Sequence, residues 1–310
     1  MLDRSGLHLR AALFHAIRTF FTSRGFLEVD TPLRQPVILP ESNIAPLMAD
    51  GQFLQTSPEL CMKLLLAAGC QDIFQICPCF RKGELGRYHL EEFTMLEWYR
   101  SGADYRQLMV DCEELLAAVA ARLIEYDRDH HHQRPRIDIS AAQLLMSRPA
   151  RRLSVAAAFR RYAPLGVEAA LRQEKFEELL VEWVEPHLGV DRPLFLVDYP
   201  RELASLARVD PRRPAVSERF ELYVAGLELA NGFTELTDKE EQRRRFSQEI
   251  EQISARQGRE TPMPEHFLDQ LENIESAAGI ALGLDRLLML LLGEKRVDAA
   301  VTFSPDDLAR

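Results

Sequence analysis

No C-x-x-C pair occurs in the chain, and the five cysteines, Cys61, Cys70, Cys77, Cys79 and Cys112, form an odd set. A structural zinc site draws on paired cysteines and a secreted disulfide framework on an even number, so reduced thiols are the expected state. Basic charge is in deficit too: 38 Lys and Arg against 48 Asp and Glu leave a formal charge of -10. Wrapping a nucleic acid over a broad surface needs clustered cations, and this balance argues against it. The opening MLDRSGLHLRAALFHAIRTFF carries charge through its apolar stretch and has no small-residue cleavage site, so it does not read as a signal peptide. The longest apolar segment, Ile280 to Leu292, is broken by Asp285 and Arg286 and is too short to span a bilayer. A cytoplasmic location without a membrane partner is expected.

An apolar fraction of 46% is ordinary for a globular core. Leu13, Phe14, Ile17, Phe20 and Phe21 recur at helical spacing, which predicts an amphipathic helix near 7–23 ended by Gly25. FLEVDTPLRQP then alternates and meets Pro32, an extended segment. In TSPE, Thr56 or Ser57 is a candidate N-cap, and Glu59 falls in the first turn, where a carboxylate favours the helix dipole. Residues 104–125 place Leu108, Cys112, Leu115, Leu116, Val119 and Leu123 on one helical face. The segment 125–152 holds His130, His131 and His132, which lack the i, i+4 spacing of helical metal pairs, so a solvated surface insert is expected there. Residues 238–257 read as a charged helix anchored by Phe246 and Ile250.

Three stretches carry chemistry. FRKGELGRYHLEEFTMLEWYR, Phe80 to Arg100, reads as a strand, a polar hairpin containing Gly83 and Gly86, and a strand alternating Phe93, Met95 and Glu97. An arginine leaving one strand opposite an aromatic ring and a carboxylate suits a nucleotide, although a half-buried hairpin with solvated charges has the same pattern. FELYVAGLELANGF predicts a second hairpin turning at Ala225 and Gly226, with Val224 opposite Leu227 and Glu221 opposite Ala230. Glu221 and Glu228 then share a face as diagonal neighbours, and two repelling carboxylates call for a cation such as magnesium on nucleotide phosphates. A one-residue slip would put them on opposite faces. GIALGLDRLLMLLLG predicts a small-residue strand and an apolar helix. Gly283 leaves room for a flat base, and Arg286 in the first helical turn needs a phosphate or a salt bridge to offset the dipole.

In this order the three stretches resemble the signature motifs of class II aminoacyl-tRNA synthetases, most closely the lysine branch, and the likeness runs nearly from end to end. It implies an α+β class II catalytic fold, a mixed and mostly antiparallel sheet flanked by helices, as a single domain over 1–310. It also implies activation of an amino acid on ATP. Arg81 would hold the α-phosphate and the substrate carboxylate, Arg286 the terminal phosphate, and Glu221 with Glu228 a Mg2+ ion. Phe93 would stack on adenine, with Lys82, Glu84, Leu229 and Gly283 completing the ATP site. Ser57, Glu59, Glu97, Tyr99, Asn231 and Glu235 would frame the amino groups of a lysine-like substrate. The opening helix, strand and proline resemble the first class II motif, which implies a homodimer.

Two departures lie in the first hairpin. Where the family has R-x-E, this chain has Arg81, Lys82, Gly83 and Glu84, so the acid's role passes to Glu84 or vanishes. Where it has H-N-P-E-F, this chain has His89, Leu90, Glu91, Glu92 and Phe93, and the Asn contact is lost. A tRNA-charging member carries an anticodon-binding domain of at least ~50 residues before the first motif. Only about two dozen residues precede that motif here, too few for a domain, so tRNA is not the expected acceptor. FTMLEWYR and GLELANGF are most similar to the branch's shorter paralogues, which transfer (R)-β-lysine to a lysine of elongation factor P. The alternatives are an enzyme charging tRNA or a small carrier with lysine, and a silent paralogue that binds ATP or lysine.

Overall fold

A computed structural model describes residues 1–130 and 136–309. Its strands are β1 (Leu27–Glu28), β2 (Arg34–Gln35), β3 (Met48–Ala49), β4 (Gln52–Leu54), β5 (Ile73–Phe80), β6 (Glu92–Ser101), β7 (Arg151–Ser154), β8 (Leu194–Pro200), β9 (Val216–Val224), β10 (Leu227–Thr234) and β11 (Ala277–Gly283). Among the described residues, eight of them form one sheet in the order β1-β5-β6-β11-β10-β9-β8-β7, and β2, β4 and β3 form a small second sheet. The large sheet is parallel only at its two ends, β1 with β5 and β7 with β8. This is the mixed, mostly antiparallel α+β arrangement expected from the sequence.

The period of two along the central strands divides the sheet into a structural face and a chemical face. Phe74, Leu96, Trp98, Phe220, Leu222, Ile280 and Leu282 point to one side and are buried in the main core. There they meet the helix Arg4–Thr22, through Leu9, Leu13, Ile17 and Phe21, and the helix Tyr105–His130, through Leu108, Cys112, Leu115 and Leu116. Burying each such side chain stabilises the fold by about 1.5–3 kcal/mol. The alternate residues, among them Phe93, Met95, Glu97, Tyr99, Glu221, Gly279, Ala281 and Gly283, face the other side and line a cavity.

The helix Leu284–Leu291 follows β11 directly and is tied to β6 by Asp285, which is 2% exposed. Asp285 accepts from Arg10 Nη1 at 2.6 Å and from the Thr94 backbone N–H at 2.7 Å. Removing either charged partner would strand the other, a cost of about 3–5 kcal/mol.

Three expectations need correction. The stretch 125–152 is not a solvated loop among its described residues: one helix continues to His130, a second spans Ile139–Met146, and Arg151 begins β7. Ile137, Ala142 and Leu145 are buried in the main core, and Asp127 anchors the returning chain by accepting from the N–H groups of Arg136 and Ile137. His131 and His132 lie outside the described residues. In the helix Lys239–Gln257 the second apolar anchor beside Phe246 is Ile253 rather than Ile250. The hairpin of β9 and β10 turns where expected, Val224 facing Leu227, but a bulge between Glu228 and Ala230 sets Ala230 opposite Leu222 and Asn231 opposite Glu221.

Candidate active site

The cavity on the chemical face has a volume of about 470 Å³. Ser57, Glu59, Arg81, Glu84, Phe93, Glu97, Tyr99, Glu221, Glu228, Leu229, Asn231, Gly283 and Arg286 all line it. Residues more than two hundred positions apart thus converge because β6, β11, β10 and β9 are consecutive neighbours in the sheet. Of the residues singled out in the sequence, Lys82 and Glu235 do not line the wall. Lys82 is exposed and engages through its backbone N–H, which donates to the Ala45 carbonyl at 2.7 Å. Glu235 is 3% exposed and paired with Lys63.

One end of the cavity is cationic. Arg81 leaves β5, its Nε donating to the Thr56 carbonyl at 3.3 Å, its Nη1 3.8 Å from Glu84, and its guanidinium 5.2 Å from the centre of the Phe93 ring. Arg286 donates through Nη1 to the Glu228 carbonyl at 2.8 Å and through Nε to the Tyr88 carbonyl at 3.2 Å. Its Nη2 is 2.6 Å from His89 Nε2. Arginine can only donate, so that ring nitrogen carries no proton, and burial followed by the Arg286 charge keeps the imidazole below its ordinary pKa.

Between the arginines and the far end lies the β9–β10 hairpin. Glu221 and Glu228 share one face, because Glu228 is directly opposite Tyr223, two residues from Glu221. The bulge changes the parity of β10, so Asn231 and Phe233 join that face as well. Burial first, and then Glu228, raise the pKa of Glu221. Two groups that the sequence did not single out complete this zone. Arg219 bonds Glu221 Oε1 at 2.8 Å and Asn231 Oδ1 at 3.2 Å, while the Tyr223 hydroxyl lies 2.8 Å from Glu221 and 3.1 Å from Glu185. Burial, then Glu228, brings Glu185 up to about 7.

The far end is acidic. Tyr99 donates to Glu97 Oε1 at 2.6 Å, and Glu97 Oε2 has no hydrogen-bond partner although it is buried. Burial, then Glu59, pushes the Glu97 carboxyl well above its usual range. Glu41 also lines the cavity, and burial followed by Glu59 raises it to about 7. Glu59 starts the helix Glu59–Ala67, its N–H donating to Ser57 Oγ at 3.0 Å, so the dipole role and a place in the cavity coexist. Lys63, one turn later and missed by the sequence reading, lies between Glu59 and Glu235. Its i, i+4 spacing from Glu59 was the available signal.

A family model for class II tRNA synthetases of the D, K and N group matches residues 3–307. Curated relatives named elongation factor P–(R)-β-lysine ligase match over nearly their whole length. The one from Salmonella arizonae is 38% identical, over 96% of this chain and 94% of the relative. The one from Pectobacterium carotovorum is 39% identical, over 95% and 93%. The one from Edwardsiella ictaluri is 38% identical, over 96% and 94%. With the sheet order, the cavity on its chemical face and these likenesses in agreement, the chain belongs to the class II tRNA synthetases, in the group that serves aspartate, lysine and asparagine.

Proposed function

We propose that this chain is an ATP-dependent, AMP-forming ligase that activates (R)-β-lysine as an adenylate and transfers it to a lysine side chain of elongation factor P. The relatives bear that name, and one observation on this chain carries the reading: Arg81, Arg286, the Glu221–Glu228 pair and the acidic far end all line a single cavity.

In the first step a carboxylate oxygen of the amino acid attacks the α-phosphorus of ATP, and the bond to the β-phosphate breaks to release pyrophosphate. Negative charge grows on the phosphoryl oxygens, so catalysis is chiefly positioning and electrostatics. Arg81 holds the α-phosphate and the incoming carboxylate, Arg286 the terminal phosphate, and Phe93 the adenine. Glu84 stands near Arg81 to receive the base edge, with Leu229 and Gly283 against the nucleotide. At the far end, ammonium groups of the substrate meet Glu59, Glu97 with Tyr99, and Asn231; the unpartnered Glu97 Oε2 is the kind of acceptor an ammonium would satisfy. In the second step the acceptor lysine's nitrogen attacks the acyl carbon and AMP departs.

Glu221 and Glu228 fit a hard divalent cation. Both are carboxylates and they share a face, and burial followed by the charge of Glu228 raises the Glu221 pKa. Among the described residues no cluster of three or more ligating side chains occurs. Mg2+, however, commonly takes only one or two carboxylates and completes its shell with phosphates and water. When bound it would neutralise charge on the triphosphate.

A homodimer is part of the proposal. Leu27, Leu33 and Met48, at 57%, 39% and 52% exposure, sit on or beside the small strands that follow the first helix, apolar surface suited to a second copy. None of the described helices is long and apolar enough to cross a membrane, and we place the ligase in the cytoplasm with its acceptor.

The test is ATP–pyrophosphate exchange followed by mass measurement of elongation factor P. Exchange with (R)-β-lysine far above α-lysine, and a β-lysyl mass increment on the acceptor, are expected. Preference for α-lysine would favour an enzyme charging tRNA or a carrier. No exchange with either isomer would favour a binding-only paralogue.

A further inference from the structure

Lys63 has no part in the chemistry above, yet its ammonium is one of the most enclosed charges in the molecule. The side chain is 1% exposed, and Nζ lies 2.5 Å from Glu59 Oε1 and 2.5 Å from Glu235 Oε2. The centre of the Phe233 ring is 5.4 Å from it. Burying an ammonium is expensive unless it is paired, and here two carboxylates pair it at once. The two differ in position. Glu59 lines the cavity, whereas the buried Glu235 lies over Gly279 beside Tyr99, where an added Cβ would come within 2.5 Å of Glu235 Oε1. That oxygen has no hydrogen-bond partner.

We infer that Lys63 is a positioning residue for diamino-acid recognition, an internal ammonium that fixes Glu59 and Glu235 and balances their charge so that the far end takes one substrate ammonium. The inference rests on the proposed lysine-activating function and deepens it. The groups bearing on Lys63 are Glu59 on its own helix, Glu97 on β6, Glu235 just past β10, and Glu41 from the segment before β3. Without a cation among them, several buried carboxyls could not all stay ionised, because like charges in a dry site repel. Glu235 is already at about 8, raised by burial and by Glu59 and held down only by Lys63. Deleting the ammonium removes a charge that lowers Glu235 together with Glu41 and Glu97 of the cavity wall, so the acidic end charges at higher pH and less of the enzyme receives a substrate ammonium at neutral pH.

Lys63 has a structural alternative as a plain buried ion pair, and three readouts separate the two roles. In pyrophosphate exchange, Lys63→Met should raise the KM for (R)-β-lysine by about tenfold or more, with the KM for ATP within about twofold of the parent. The acid limb of its kcat/KM profile for the amino acid should move to higher pH. The double variant Lys63→Met/Glu235→Gln, which removes both charges, should keep the raised KM but lose the alkaline shift. A parent-like amino-acid KM and pH profile in Lys63→Met overturns the inference while the parental reaction stands. If the single variant does not fold, a parent-like amino-acid KM in the double variant overturns it equally. Failure of the parent itself to activate any lysine isomer would instead remove the underlying function, a distinct result.

Discussion

Arg81→Ala is expected to lower adenylate formation by about a hundredfold to a thousandfold, the scale set by removing a donor aimed at developing oxyanion charge. The fold should survive. Among the described residues the Arg81 side chain meets one carbonyl at 3.3 Å, Glu84 at 3.8 Å and the face of Phe93, and it is 25% exposed. None of those contacts leaves a buried charge behind when the guanidinium goes, because Glu84 is itself part-exposed. Pyrophosphate exchange and a thermal melt on the same preparation separate the two effects. A parent-like melting temperature with exchange reduced by the stated factor is the expected pair of results; exchange within a few-fold of the parent would remove Arg81 from the phosphate site.

Gly279→Val should have an effect of similar size but on the other substrate. Gly279 is paired directly opposite Tyr99, and a Cβ there would lie 2.2 Å from Tyr99 Cε1 and 2.5 Å from Glu235 Oε1. Real Cβ atoms do not sit that close, so something must shift. Tyr99 is 2% exposed and hydrogen-bonded to Glu97, so it cannot swing aside cheaply. The added side chain therefore displaces the hydroxyl and carboxylate that end the cavity. Calorimetric titration should show affinity for (R)-β-lysine weakened by about a hundredfold, comparable to two or three kcal/mol of misplaced polar contacts. ATP affinity should change by less than about threefold. Equal losses of both ligands would mean that the sheet itself had failed, and unchanged β-lysine binding would mean that the amino acid lies elsewhere.

The arginine end of the site was legible because its signals are local. Arg81 follows a strand end, and Arg286 sits in the first turn of a helix after a small-residue strand, each an uncommon placement for a cation. The shared face of Glu221 and Glu228 was legible from the two-residue turn, since Glu228 precedes the bulge and the extra residue lies on β10, leaving the alternation along β9 to Glu221 intact. Beyond Glu228 the register shifts by one residue. Nothing in LELANG announces the bulge, yet it is the bulge that brings Asn231 to the face of Glu221; an uninterrupted ladder would have turned Asn231 to the core side. Glu235, expected as a direct substrate contact, is buried beside Tyr99 and paired with Lys63, and it is not part of the cavity lining. Lys63 and Arg219 were missed for a common reason. Each is a cation whose role depends on acids from other elements, and a single strand or helix does not reveal those partners. The segment 125–152 was misread because charge and histidine suggested solvent, while Ile137, Ala142 and Leu145, spaced for burial, carried the stronger signal.

The convergence of both arginines, the hairpin acids and the acidic far end on one activated amino acid is tested most directly by a crystal structure with a non-hydrolysable sulfamoyl analogue of (R)-β-lysyl-adenylate. The sulfamoyl group is expected within hydrogen-bond reach of Arg81, the adenine against Phe93 and Gly283, and the lysyl ammonium groups beside Glu59 and Glu97. An analogue bound with its amino groups near Arg286 or Glu228, or outside the cavity altogether, would contradict that arrangement.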